Sequence, residues 1–374
     1  MVPIPQCDPR ANYCAHRSEI DMAVQRVLES GQYILGEEVE SFEREFADFV
    51  GAAHTVAVAS GTDALEMALR ACGVGVGDLV FTVSHTAVAT MAAIELTGAT
   101  PVLLDIDPQS YTMDCSSLQD ALRDHPAGRP RAVVPVHLYG HPADMPAICE
   151  ISQKHGVYVV EDCAQAHGAK IDGRSVGTWG HIAAFSFYPT KNLGALGDGG
   201  AVVSSDANLL ARVRELREYG WRKRHVSEIP GFNSRLDSLQ AAILRAKLHH
   251  LNSDNERRAL LARRYEELLN QAQICLPIIR FNAQHVYHQF VIRTVQRDIL
   301  GDYLSDYGIG SAVHYPVPVH RQPAYAGRVH TFGDLTHTDY VAGEILSLPI
   351  YPELSLAAVD RVARHIQEWE NLKN

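Results

Sequence analysis

RAVVPVHLYGHPADMPAICEISQKHGVYVVED, residues 131–162, decides the fold. Within it, Arg131–His137 and Val157–Glu161 read as short β-branched strands, and Met145–His155 between them reads as a helix. Strand, helix and strand in that order form a crossover unit, which joins parallel strands. The alternation continues in both directions. Upstream it predicts strands over His54–Ala59, Leu79–Val83 and Pro101–Leu104, separated by helices over Asp63–Ala71 and Ala87–Leu96. Downstream it predicts strands over Ile182–Phe187 and Gly200–Ser204. The expected fold is α/β, with a mixed, mainly parallel sheet covered by helices on both faces.

Beyond Asp206 the texture changes. Asn208–Tyr219 and Leu236–Asn270 are long helical patterns, and Cys275–Asn374 mixes strands (His288–Thr294, Gly310–His314) with helices (Asp298–Tyr307, Leu356–Leu372). This predicts a large domain over residues 1–245 and a smaller C-terminal α+β domain over 246–374, the boundary falling within the long helix. A length of 374 residues suits two domains.

Parallel sheets gather ligands at the carboxyl ends of their strands, so the residues just past each strand carry the chemistry. Three segments stand there. Glu161-Asp162-Cys163-Ala164-Gln165 brings carboxylates to the end of a buried strand; capping of the next turn is the plainer reading. Ser186-Phe187-Tyr188-Pro189-Thr190-Lys191 delivers a serine and a lysine into a glycine-rich turn, Gly197-Asp198-Gly199-Gly200, where a solvated surface lysine is the plainer reading. Ser60-Gly61-Thr62 stands at a strand-to-helix junction, where free N–H groups and the positive helix end suit a phosphate, or where Ser60 or Thr62 simply caps the helix. Together they form a set: a lysine amine, a carboxylate and a phosphate cradle are what pyridoxal 5'-phosphate requires. No Walker loop and no dinucleotide fingerprint occur in the sequence.

Composition narrows the alternatives. Hydrophobic residues make up 46% and charged residues 21%, as in ordinary globular enzymes, and the net charge of −11 argues against nucleic acid as a partner. Seven widely spaced cysteines without a C-x-x-C pair argue against a disulfide scaffold or structural zinc. With no signal-peptide pattern at the start and no long apolar run, a cytoplasmic protein free of the membrane is expected. His137 and His141, and the pair His249-His250, lack the context of a metal site, so no metal is expected. Arg222-Lys223-Arg224-His225 is a basic run that reads as a solvated face or as a guide for a sugar diphosphate.

From Gly31-Gln32-Tyr33-Ile34-Leu35-Gly36 to the C-terminal helix, the chain resembles the sugar aminotransferases of the DegT/StrS family, in the aspartate aminotransferase superfamily of fold type I. Ser-Gly-Thr, Glu-Asp-x-x-Gln and Ser-Phe-x-x-x-Lys carry the resemblance. It implies a homodimer with active sites shared between subunits, L-glutamate as amino donor and a nucleotide-linked keto sugar as acceptor. It implies that Lys191 holds the cofactor as an internal aldimine, Asp162 pairs with the pyridine nitrogen and Gln165 lies near the ring's 3-hydroxyl. Ser60, Gly61, Thr62 and Ser186 would bind the phosphate, His85 would stack on the ring, and Asn233 would reach the partner subunit's phosphate. Tyr188, Tyr315 and His320 are the implied substrate contacts. The segments Ala195-Leu196-Gly197-Asp198 and Tyr315-Pro316-Val317-Pro318 resemble members acting at C-3 of a dTDP-linked 6-deoxyhexose rather than at C-4. Lys191 counts against the family's dehydratases, which normally carry histidine there; a cofactor-binding regulatory protein is the reading from another class.

Overall fold

The structure is a computed structural model, and it describes residues 2–372. Eight strands form the main sheet, in the order His54–Val58, Gly200–Ser204, Ile182–Ser186, Tyr158–Asp162, Arg129–Val133, Asp78–Val83, Thr100–Leu104 and His330–Thr331. Gly200–Ser204 runs antiparallel to both its neighbours, and the other pairings are parallel. Because side chains alternate along a strand, Val80 enters one core and Leu79 and Phe81 the other. Helices Gly61–Ala71 and Val88–Leu96 cover the first face. Cys115–Arg123 and Met145–His155 cover one part of the opposite face, and Glu37–Val50 and Ser238–Leu248 the rest. With both faces buried, the central strands carry mostly apolar residues, as in DLVFTV, TPVLL and IAAFS.

A separate apolar cluster joins Leu251–Leu269, Arg297–Asp306 and Leu356–Asn371 to the paired strands Phe290–Arg293 and Ile345–Leu348. We propose that this cluster is the body of the smaller domain, with two exchanges across the expected boundary. Ile4 packs into the C-terminal cluster, and His330–Thr331 pairs with Thr100–Leu104 at the edge of the main sheet.

The structure corrects three expectations. The long helix expected over Leu236–Asn270 is two helices, Ser238–Leu248 and Leu251–Leu269, parting at His249-His250. The first packs against Arg17–Ser30 and Glu37–Val50 and the second against Leu356–Asn371, so each half follows a different neighbour. The strand expected over Arg131–His137 ends at Val133, shortly before Pro135, which has no N–H for the ladder. Gly310–His314 contributes no strand, only a single bridge from Ala312 to Ser347. No helix among the described residues is long and apolar enough to cross a membrane.

Candidate active site

Residues from five strand ends and the loops after them line a cavity of about 230 Å³. The strand His54–Val58 leads to Ser60, which is extended and caps the helix Gly61–Ala71: its Oγ accepts from the Asp63 N–H at 3.1 Å. The capping reading therefore holds for Ser60. Gly61 and Thr62 occupy the first helical positions, whose N–H groups have no acceptor within the helix, and both line the cavity. A Cβ on Gly61 would stand 2.5 Å from Cβ of Ser186 and 2.8 Å from its Oγ. Only glycine lets Ser186 close this cradle of amides and hydroxyls.

Glu161 and Asp162 end the strand Tyr158–Asp162 and diverge. Glu161 is fully buried and structural, accepting from the N–H groups of Gly177, Trp179 and Gly180 at 2.7–2.8 Å and lying 3.1 Å from His137 Nε2. Asp162 faces the cavity, 8% exposed. Its Oδ1 accepts from the Ala164 N–H at 3.2 Å and its Oδ2 from the Thr90 hydroxyl at 3.0 Å. Burial raises its pKa; these two bonds and the Lys191 charge oppose the rise. No cationic side chain pairs directly with Asp162 among the described residues, which suits it to a protonated ring nitrogen.

Lys191 lines the same cavity, partly buried. Its turn is pinned rather than loose. The Lys191 N–H donates to the Tyr188 carbonyl at 2.8 Å, Lys247 Nζ donates to the Gly194 carbonyl at 2.5 Å, and Asn192 Nδ2 donates to Asn255 Oδ1 at 2.8 Å. Burial lowers the Lys191 amine to about 8, with Asp162 pulling the other way. The amine is thus partly neutral, and nucleophilic, near neutral pH.

Gln165 is oriented from both ends. Its Oε1 accepts from the Tyr139 N–H at 2.7 Å and its Nε2 donates to Tyr315 Oη at 3.0 Å, so Tyr315 meets the site through Gln165. Tyr188 is exposed at the rim. Three expected residues lie elsewhere. The His85 ring is not part of the lining; it packs on Tyr111 and Tyr139, with Nε2 2.8 Å from Tyr139 Oη, and burial lowers its pKa to about 4. Its neighbours Thr86 and Ala87 line the cavity, and His85 does not. His320 also lies outside the lining, with Nδ1 2.7 Å from Ser84 Oγ and Nε2 3.1 Å from Asp339 Oδ1, and it tethers the loop that carries Tyr315. Asn233 is exposed, beyond the cavity, and bridges to Glu218 through its backbone.

His137, His141 and, in the basic run, Arg222 have protein partners. His137 contacts Glu161 through Nε2, and its Nδ1 accepts from the Ala143 N–H. His141 contacts the Pro142 carbonyl through Nδ1, and its Nε2 accepts from the Arg280 N–H. Arg222 pairs with Glu215 and Glu228 on a hairpin away from the cavity. Sequence reasoning missed Thr86, Thr90, Val136, Ala164 and Asp198, which line the cavity together with the apolar Leu65, Ala87 and Ala89. Thr90 left a signal: a hydroxyl within the otherwise apolar first turns of Val88–Leu96.

The donor set therefore fits pyridoxal phosphate: a cradle that a single Cβ would fill, a buried carboxylate without a cation, and a lysine of lowered pKa. Known proteins agree. The chain is 47% identical to a dTDP-3-amino-3,4,6-trideoxy-alpha-D-glucose transaminase of Streptomyces venezuelae, over 98% of this chain and 96% of the relative. It is 43% identical to a UDP-N-acetyl-3-dehydro-alpha-D-glucosamine 3-aminotransferase of Acidithiobacillus ferrooxidans, over 97% of each. Its fold matches the crystal structure of DesV from S. venezuelae in complex with a ketimine intermediate, with TM-score 0.94, 47% identity and 99% of both chains covered. Residues 15–367 match the DegT/DnrJ/EryC1/StrS aminotransferase family, and this chain belongs to it as a pyridoxal-phosphate-dependent sugar aminotransferase.

Proposed function

We propose that the protein moves an amino group from L-glutamate to C-3 of a nucleotide-linked keto sugar, a dTDP-linked 3-keto-6-deoxyhexose. The observation that carries the reading is the convergence of Lys191, Asp162, Gln165 and the Gly61–Thr62 cradle on one cavity. Bound pyridoxal phosphate supplies a ring that accepts the electron pair left when a carbon bearing nitrogen loses its proton. Gly61, Thr62 and Ser186 hold the phosphate through N–H groups and a hydroxyl, so an acidic protein can bind it without an arginine cluster. Lys191 would hold the cofactor through Nζ, and the same Nζ would move the protons, taking one from the donor's Cα and, in the second half-reaction, giving one to the sugar carbon. Asp162 keeps a proton on the ring nitrogen by charge placed there beforehand. Gln165, braced by Tyr139 and Tyr315, orients the ring hydroxyl.

Two observations support C-3. Both named relatives carry the amino group at position 3 by their names. The segments Ala195–Asp198 and Tyr315–Pro318 also follow the C-3 texture. We further propose a homodimer in which the exposed Asn233 of each subunit completes the partner's phosphate site. A panel of dTDP-, UDP- and GDP-linked 3-keto and 4-keto sugars, with glutamate as donor and product regiochemistry by NMR, tests the reading. Amination of the 3-keto dTDP sugar is expected; turnover of 4-keto sugars alone overturns it.

A further inference from the structure

Asp162 is held from a side that the functional reading does not use. Thr90 stands in the first turn of Val88–Leu96, 1% exposed, and lines the cavity. A buried helical threonine commonly turns its hydroxyl back to a carbonyl one turn earlier. Thr90 instead donates to Asp162 Oδ2 at 3.0 Å, and its oxygen lies 2.9 Å from Thr86 Oγ1. An ionised carboxylate can only accept, which gives the chain a direction: Thr86 donates to Thr90, and Thr90 donates to Asp162. Neither hydroxyl serves the helix, whose N-cap is Ala87 with no side-chain cap bond. Thr86 also lines the cavity, 3% exposed.

We propose that Thr86 and Thr90 form a directed hydroxyl relay that orients Asp162 and keeps it ionised toward the ring nitrogen, with Thr90 as the positioning residue. The relay rests on the functional reading only for the group that Asp162 faces. The charged and titratable groups that interact with Asp162 are Lys191 from its turn, His137 from the adjoining strand end, Tyr315 from the C-terminal loop and the neighbouring Cys163; the Thr90 and Ala164 bonds come from the other sides. Burial favours the protonated carboxyl, and the Thr90 bond acts against that. Removing this donor therefore lets Asp162 keep its proton to higher pH.

Thr90→Val keeps the shape and deletes the hydroxyl, whereas Thr90→Ser keeps the hydroxyl. In the cofactor-free full chain, a carbon-13 carboxyl NMR titration, with the Asp162 signal assigned by its loss in Asp162→Asn, is expected to move to higher pH in Thr90→Val. It should return to the wild-type position in Thr90→Ser. In the loaded enzyme, Thr90→Val is expected to loosen pyridoxal phosphate by about tenfold, the scale of one bond to a charged group, and to move the acid limb of the activity profile upward. An unmoved titration in Thr90→Val, or a Thr90→Ser as defective as Thr90→Val, overturns the relay. Should Thr90→Val fail to fold, Thr86→Val decides, since it leaves the Thr90 packing intact: a shift in the same direction supports the relay and an unmoved titration overturns it. A wild-type chain that retains no pyridoxal phosphate refutes the functional reading, while the titration still judges the relay.

Discussion

Two buried amines, Lys191 and Lys247, lie on or against the same turn, and burial lowers both to about 8. Lys247 spends its proton on the Gly194 carbonyl, whereas Lys191 faces the cavity opposite a carboxylate. Partnership, not pKa, separates the lysine tied into the fold from the one that faces the cavity. The lowered value has a consequence in pH. An amine titrating near 8 instead of 10.5 is about 300-fold richer in its neutral form below both values, because each unit is tenfold. Stopped-flow absorbance on mixing the cofactor-free protein with pyridoxal phosphate should show capture accelerating with pH and levelling above about 8; a rise continuing toward 10.5 would show that burial does not tune Lys191. Lys191→Ala is expected to lose both the covalent cofactor absorbance and turnover, and full activity in that variant would remove Lys191 from the mechanism. Lys191 and Asp162 were legible in the sequence because a strand end is a fixed address in a parallel sheet. His85 stands outside the cavity lining, its ring against Tyr111 and Tyr139, contacts that the local sequence does not display.

At the scale of elements, the helix starts do the positioning. Ser60 caps Gly61–Ala71 locally, a pattern the sequence displays. The helix Thr336–Glu344 is capped from a distance: Asp105, just past the strand Thr100–Leu104, accepts from the N–H groups of His337 and Thr338 at 2.9 and 2.8 Å. No local pattern reveals a cap supplied from more than two hundred residues away. Ser60→Ala and Asp105→Ala should each lower the unfolding free energy by about 1 kcal/mol in urea titrations, the usual worth of a cap. Gly61→Ala should act differently. Its Cβ would stand 2.5 Å from that of Ser186 and 3.0 Å from that residue's Cα, filling the cradle and straining the junction, so dialysis against pyridoxal phosphate should find binding lost and urea unfolding should show a cost of about 1–3 kcal/mol. A folded Gly61→Ala that binds the cofactor as the wild type does would remove the cradle from the site. The same contrast explains the helix break at His249-His250. A continuous helical pattern runs through it, and only the two different packing partners show where the axis turns.

Over the whole molecule, the proposed dimer makes a quantitative claim. If Lys191 and Asn233 of one site come from different subunits, Lys191→Ala and Asn233→Ala chains, each nearly inactive alone, should complement when mixed. Random pairing makes half the dimers mixed, each with one intact site, so about a quarter of wild-type activity should return under two-fold symmetry. No recovery after demonstrated subunit exchange would place both residues in one subunit or remove Asn233 from the site. By itself, the sequence determined the alternation of strands and helices, the two-sided burial of the sheet, and the three strand-end segments that meet in the cavity. These follow from side-chain periodicity and from turn residues, which act over a few neighbours. Only the tertiary structure decided that Ser60 caps while Gly61 closes the cradle, that Glu161 is structural while Asp162 is not, and that Thr90 rather than a charged group holds Asp162. It also decided that His330–Thr331 extends the main sheet and that Ile4 packs into the C-terminal cluster. Such choices depend on which distant groups share a buried space, and a buried polar atom takes whatever partner the fold brings within about 3 Å.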